Sequence, residues 1–132
     1  MHLSRDQFGA WLGRYIDAWR SRDPAAIGAL FSADCAYSYR GGHAPVSGRD
    51  AIVASWLDDD DDGKRSWEAA YEPLAIEDEV HVAIGSTRYL DEAAAVEDEY
   101  SNIFVCRFDE AGQCREFSEW WMRAPGPVGR LD

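Results

Sequence analysis

The sequence predicts an α+β fold, with helices covering one face of an antiparallel sheet. Three observations carry the prediction. Apolar residues recur at helical spacing up to Leu57, alternate with period two from about Arg65 onward, and turn residues divide that second half into a meander. The order, helices first and strands after, fits one 132-residue domain spanning 1–132, long enough to bury a core without disulfides.

Each element has its own signal. Ser4 and Gln7 form an S-x-x-Q capping box. Phe8, Trp11, Leu12, Tyr15, Ile16 and Trp19 then mark one apolar helical face, which predicts a helix to about Arg22. Asp23-Pro24 restarts a second helix, with Ile27, Leu30 and Phe31 as its buried side. "CAYSYR" reads as a short strand ending at Gly41-Gly42, and "GRDAIVASWLDD" as a third helix with Ile52, Val53, Trp56 and Leu57 inward. Strands are expected at about 65–77, 79–90, 97–108 and 113–123, with turns near Asp78, Glu92 and Gly112.

Composition narrows the function classes. A formal net charge of −12 opposes binding to nucleic acid or to an anionic membrane, since both are polyanions. No apolar run approaches the roughly 18 residues of a membrane helix. The opening "MHLSRDQFGAWL" lacks a basic-then-apolar signal pattern, so the cytoplasm is the expected location. Cys35, Cys106 and Cys114 form no CxxC and are expected as buried thiols.

The last hairpin holds the main chemical signal. With "DEAG" as its loop, Phe108 faces Gln113, Phe104 opposes Phe117, Asn102 opposes Glu119, and Tyr100 opposes Trp121. Tyr100, Asn102, Phe104, Phe117, Glu119 and Trp121 are expected on one surface, although a bulge at the glycine would shift the register. The other surface carries Ile103, Val105, Trp120 and Met122, which is too apolar for a solvated face. A partner subunit is the simplest cover for it.

These residues resemble the nuclear transport factor 2-like superfamily, nearest its SnoaL-like and ketosteroid-isomerase-like branches. "RYIDAWRSRDPAAIGALFSADCAYSY" is similar to that family's two opening helices and first strand, "SGRDAIVASW" to its third helix, and "NIFVCRFDEAGQCREFSEWW" to its closing hairpin. The resemblance implies a cone-shaped curved antiparallel sheet wrapped on three N-terminal helices, enclosing a deep pocket. It also implies a homodimer through the outer sheet face. It turns the row Phe104, Phe117 and Trp121 inward, together with Glu119.

A carboxylate in that position would be desolvated and its pKa pushed up, which suits proton transfer near neutral pH. SnoaL-like enzymes carry an acidic catalytic residue at this point of the last strand, and Glu119 matches it. Tyr15 matches the oxyanion-stabilising tyrosine of ketosteroid isomerases, whose phenol donates to a substrate carbonyl. The isomerases' two aspartates correspond to Tyr39 and Phe104 here, so the steroid reaction itself is not expected. Cyclisation, isomerisation or dehydration of a carbonyl compound by Glu119 and Tyr15 stays open. Glu119 has three further readings: contact with a ligand without chemistry, a structural tie to Asn102, Tyr15 or Arg123, or plain solvent exposure. Arg88 with Glu97, Asp98 and Glu99 gives no convincing match to the Asp–Arg–Asp group of the epoxide-hydrolase branch.

The aromatic excess points to a flat, apolar ligand. Candidate ligand-binding residues are Tyr100, Asn102, Phe104, Phe117 and Trp121 on the hairpin, and Trp11, Trp19, Tyr39 and Trp56 elsewhere. His43 follows the Gly41-Gly42 turn and could add a second acid or base at the cone's mouth, and His81 could face cavity or helices. No histidine pair has ligand spacing, so no metal and no cofactor are expected. Asp58, Asp60, Asp62 and Gly63 match the start of an EF-hand loop, but its closing Glu position is Ala69. A solvated helix end is expected there, with calcium binding by 58–62 left open. The competing class is a non-catalytic ligand-binding or dimerisation module on the same fold.

Overall fold

A computed structural model describes residues 2–39, 44–58 and 66–124. His43, Asp59–Asp62 and Gly63 lie outside these.

Helix α1 (Arg5–Ser21) starts at a complete capping box: Ser4 Oγ accepts from the Gln7 N–H at 3.1 Å, and Gln7 Oε1 accepts from the Ser4 N–H at 2.8 Å. It stops at Arg22, whose φ of 55° lies in the left-handed region and whose N–H returns to the Ala18 carbonyl. The Arg22 guanidinium then donates to the carbonyls of Trp56 and Leu57, at 3.4 and 3.1 Å. Those are the last residues of α3 (Arg49–Leu57), so one cation satisfies orphan carbonyls at the negative end of another helix. Helix α2 (Pro24–Gly28) is capped by Asp23, which accepts from the Ala25 N–H.

Phe31 does not extend α2, as its spacing suggested, but opens strand β1 (Phe31–Tyr39). The cause is the Leu30 carbonyl, which accepts from the Cys114 N–H at 2.9 Å and from the Trp11 indole at 3.1 Å, drawing the chain into the sheet. Strand β2 (Val46–Ser47) is too short to leave a period in the sequence. Strands β3 (Ser66–Glu77), β4 (Val80–Leu90), β5 (Val96–Phe108) and β6 (Cys114–Arg123) form the meander. The six strands make one curved, unclosed sheet in the order β2-β1-β6-β5-β4-β3.

Two expectations change. The sheet is mixed, because β1 pairs with β6 in parallel. The third helix also follows two strands and does not precede the sheet.

The hairpin register changes as well. The loop spans five residues because Asp109 Oδ1 accepts from the N–H groups of both Ala111 and Gln113, at 2.9 and 3.0 Å. Phe108 therefore faces Cys114. Arg115 is then an extra residue, and from Arg107↔Glu116 onward the pairs run Phe104↔Glu119 and Asn102↔Trp121. Two slips of one residue leave every side chain on its expected face.

The closed end of the sheet is packed around His81, which is fully buried. Its Nε2 accepts from the Leu3 N–H at 2.9 Å, so its proton sits on Nδ1, which donates to the Glu79 carbonyl at 2.9 Å. Phe8 and Phe108 pack edge-on against the ring. Cys35, Cys106 and Cys114 are all buried free thiols. At the other end of α1, Trp19 stacks on Trp67 with ring centroids 3.9 Å apart, and Arg20 lies over the same indole at 4.1 Å.

Gly85 on β4 sits where the β3 backbone leaves no room for a side chain. A Cβ there would lie 2.1 Å from the Ala70 carbonyl oxygen and 2.4 Å from the Tyr71 ring. The missing side chain is what lets the Tyr71 ring lie against β4.

Two outcomes follow for stability. Burial holds the His81 imidazole below its ordinary value. The unfolded chain therefore takes up this proton first, and stability falls as pH drops below about 6.5, by at most about 1.4 kcal/mol per pH unit. Urea unfolding at pH 7.5 and 5.5 should show a larger loss for the wild type than for His81→Gln. Gly85→Ala should destabilise by about 2 kcal/mol, with the melting temperature as readout.

Candidate functional site

The inward-facing residues form successive cross-strand rows. The row Tyr37, Phe117, Cys106 and His81 is shut: all four are buried. Below the opening, Tyr37 stacks on Phe117 at 4.5 Å, Phe104 lies 4.9 Å from Phe117, and Tyr15 stacks on Phe117 at 5.7 Å from α1. The next row, Tyr39, Glu119 and Phe104, opens at one end. Tyr39 is 41% exposed and Trp121, one row further out, 37%, although both point to the same face as the buried rings. Glu119 lies half-buried between them. The concave face is thus filled to the level of Phe117 and open at the β1–β6 corner.

Polar groups converge at that level. Asn102 Nδ2 donates to Glu119 Oε2 at 2.8 Å. Thr87 Oγ1 donates to Asn102 Oδ1 at 3.0 Å, and the Tyr71 and Thr87 hydroxyls are 2.6 Å apart. The Tyr15 and Tyr37 hydroxyls lie 3.4 Å apart. Burial and then the Glu119 charge hold the Tyr15 phenol well above its ordinary value, and burial and then Tyr15 do the same for Tyr37. Both stay protonated donors. Among the described residues neither phenol has another hydrogen-bond partner. Two protons share one bond, so one buried phenolic proton lacks an acceptor.

The hairpin row of candidates comes together here. Tyr100 meets Trp121 edge-on at 5.5 Å, and outside them Arg123 forms an ion pair with Asp98. Arg123 is therefore engaged away from Glu119, and Tyr15 bonds Tyr37 instead of the carboxylate. Phe104 and Phe117 form the floor. Trp11 is sealed among Phe31, Phe108 and Phe117, with its indole N–H spent on Leu30. Trp56 packs edge-on against Tyr15 at 5.0 Å, and Trp19 is spent on Trp67. Sequence reasoning missed Tyr37, Tyr71 and Thr87 as polar members. Their inward parity was readable, but which hydroxyls met was not. Among the described residues no group of His, Cys, Asp and Glu could hold a metal ion, and no helix is long and apolar enough to cross a membrane.

Comparison with known proteins places the chain. Solved structures share its architecture. One, from Kribbella flavida DSM 17836, is 16% identical, with 97% of this chain and 92% of that one covered and a TM-score of 0.67. A protein of unknown function with a cystatin-like fold from Methylobium petroleophilum PM1 is 18% identical over 100% and 86%, with a TM-score of 0.68. A ketosteroid isomerase-like protein from Erwinia carotovora atroseptica SCRI1043 is 18% identical over 88% and 93%, with a TM-score of 0.59. At such identities the likeness concerns the fold. No curated protein matches the sequence. The model of the family described as SnoaL-like domain matches residues 12–117. The chain therefore belongs to the SnoaL-like domain family, within the nuclear transport factor 2-like superfamily.

Proposed function

We propose that the protein binds a small, hydrophobic, ring-containing carbonyl compound at the β1–β6 corner, and that Glu119 moves a proton on it without a cofactor. The observation that carries this reading is the half-buried Glu119 carboxylate beside a buried phenol pair with an unused proton. A carbonyl oxygen seated there would accept that proton's hydrogen bond from Tyr15 or Tyr37. Charge developing on the oxygen would be stabilised by a donor already fixed in place. Glu119 would remove or deliver a proton on a neighbouring carbon. Tyr39, Tyr100 and Trp121 would wall the ring system. Cyclase, isomerase and dehydratase chemistry all use these parts.

A second reading is a non-catalytic binding or dimerisation module. The closed floor favours it, because buried rings fill the space below Glu119. The outer sheet face supports a homodimer in either case. Ile84, Ile103 and Trp120 form one cross-strand row there, and Met122 beside it is 73% exposed.

Glu119→Gln separates the two readings. For an enzyme, kcat should fall by about 100-fold or more, while a panel of carbonyl metabolites still raises the melting temperature. Ligand-induced stabilisation with no turnover by the wild type would establish the binder. Trp120→Glu should convert a dimer to a monomer in light scattering. A wild-type monomer would end the dimer proposal.

A further inference from the structure

We propose that Thr87 and Tyr71 are positioning residues which, acting through Asn102, hold Glu119 as a proton acceptor, so that the site's first step is abstraction. This rests on the reading of Glu119 as the proton-transfer group. The observation behind it is a hydrogen-bond chain across four neighbouring strands, Tyr71 on β3, Thr87 on β4, Asn102 on β5 and Glu119 on β6.

The chain runs one way. Thr87 has a single hydroxyl proton, and it is spent on Asn102 Oδ1. In the 2.6 Å contact Tyr71 must then be the donor. With Oδ1 occupied, Asn102 turns its NH2 group to the carboxylate. Thr87 and Asn102 are 3% and 4% exposed, so bulk water has little access to either. A protonated Glu119 donating to Asn102 would need the amide turned over. The amide N–H would then face Thr87, and Thr87 would have to donate back to Tyr71. Three groups, the buried Thr87 and Asn102 and the partly buried Tyr71, would reverse together, and hydrogen bonds in series polarise in one direction. Among the described residues, Glu119 faces the uncharged Tyr15 from α1, Tyr37 and Tyr39 from β1, and Phe104 from β5. The ion pair Asp98–Arg123 sits further out on β5 and β6.

An ionised acceptor selects the substrate class: a compound with an acidic C–H beside its carbonyl. The C–H bond breaks and its proton passes to the Glu119 carboxylate. The electron pair forms the enolate double bond, and the carbonyl oxygen takes the charge opposite the phenol pair. Return of the same proton to another carbon completes an isomerisation with no oxidant or reductant.

The test is the 13C-carboxyl NMR titration of Glu119 in the full chain. Thr87→Val should raise its midpoint by about half a pH unit or more, because the amide is freed to turn. Tyr71→Phe should move it the same way by less, and Thr87→Ser should restore the wild-type value. Tyr71→Phe decides the matter if Thr87→Val does not fold. Unchanged midpoints in the folded variants, or a Thr87→Ser that behaves like Thr87→Val, would overturn the proposal. Midpoints that move as stated while Glu119→Gln retains turnover would sink the functional reading and leave the positioning standing.

Discussion

A β-strand turns every second side chain to the same side, and this period of two governs the candidate site. Glu119 points inward only because β6 enters the sheet with the right parity. Two local features set that parity. The Asp109 side chain organises a five-residue loop, and Arg115 bulges out one turn later. Either feature alone would carry Trp120 and Met122 into the concave face and put Glu119 outside. The parallel seam adds the second half of the constraint. Tyr37 pairs with Phe117 and Tyr39 with Glu119, so β1 inherits its inward row from β6.

The floor and the polar level above it are held by different forces. Fully burying a side chain such as Phe104 or Phe117 is worth roughly 1.5–3 kcal/mol each, before their ring contacts with Tyr15, Tyr37 and Tyr71 are counted. A hydrogen bond in the Tyr71–Thr87–Asn102–Glu119 chain contributes about 1 kcal/mol net. The rings therefore decide where the chain packs, and the hydroxyls and amide decide which atoms meet. That ordering explains why the buried rings end at the level of Glu119. Apolar burial fills the concave face until the first carboxylate, and ring packing stops there because a charge cannot be left without partners.

Much of the architecture was legible, and the reasons differ by element. The capping box at Ser4 and the Asp23-Pro24 start are local chemistry, so α1 and α2 begin where the sequence puts them. The third helix has its inward Ile52 but no side-chain cap, and it ends against Arg22, a contact that no local signal carries. Phe31 was misplaced because one apolar residue fits a helix or a strand equally well, and the Leu30 carbonyl decided it from a distance. The parallel seam was invisible, since a pairing between the first and last long strands leaves no trace in either. The hairpin's inward row survived a wrong register because the error was even. Asn102 beside Glu119 was a diagonal contact in place of a direct one, and an amide spans that gap. The hydroxyl partners Thr87 and Tyr37 needed the sheet order before they could be found.

The row Tyr39, Glu119 and Phe104 bears on mechanism. The resemblance to ketosteroid isomerases assigns acids to the two flanking positions, and in this chain both are aromatic, with one carboxylate on the strand between them. A single central acid has no second carboxyl to hydrogen-bond a developing oxyanion. On the proposed reading that role passes to the phenol pair. Tyr37 stands on β1 one inward row below Tyr39, its hydroxyl 3.4 Å from that of Tyr15. Burial keeps both protonated, so the pair offers a neutral donor throughout the range in which Glu119 would work. A ring at position 104 in place of an acid thus puts no second negative charge there beside Glu119 and closes the floor. Both changes favour a site built on one base and one phenol pair over one built on several carboxylates.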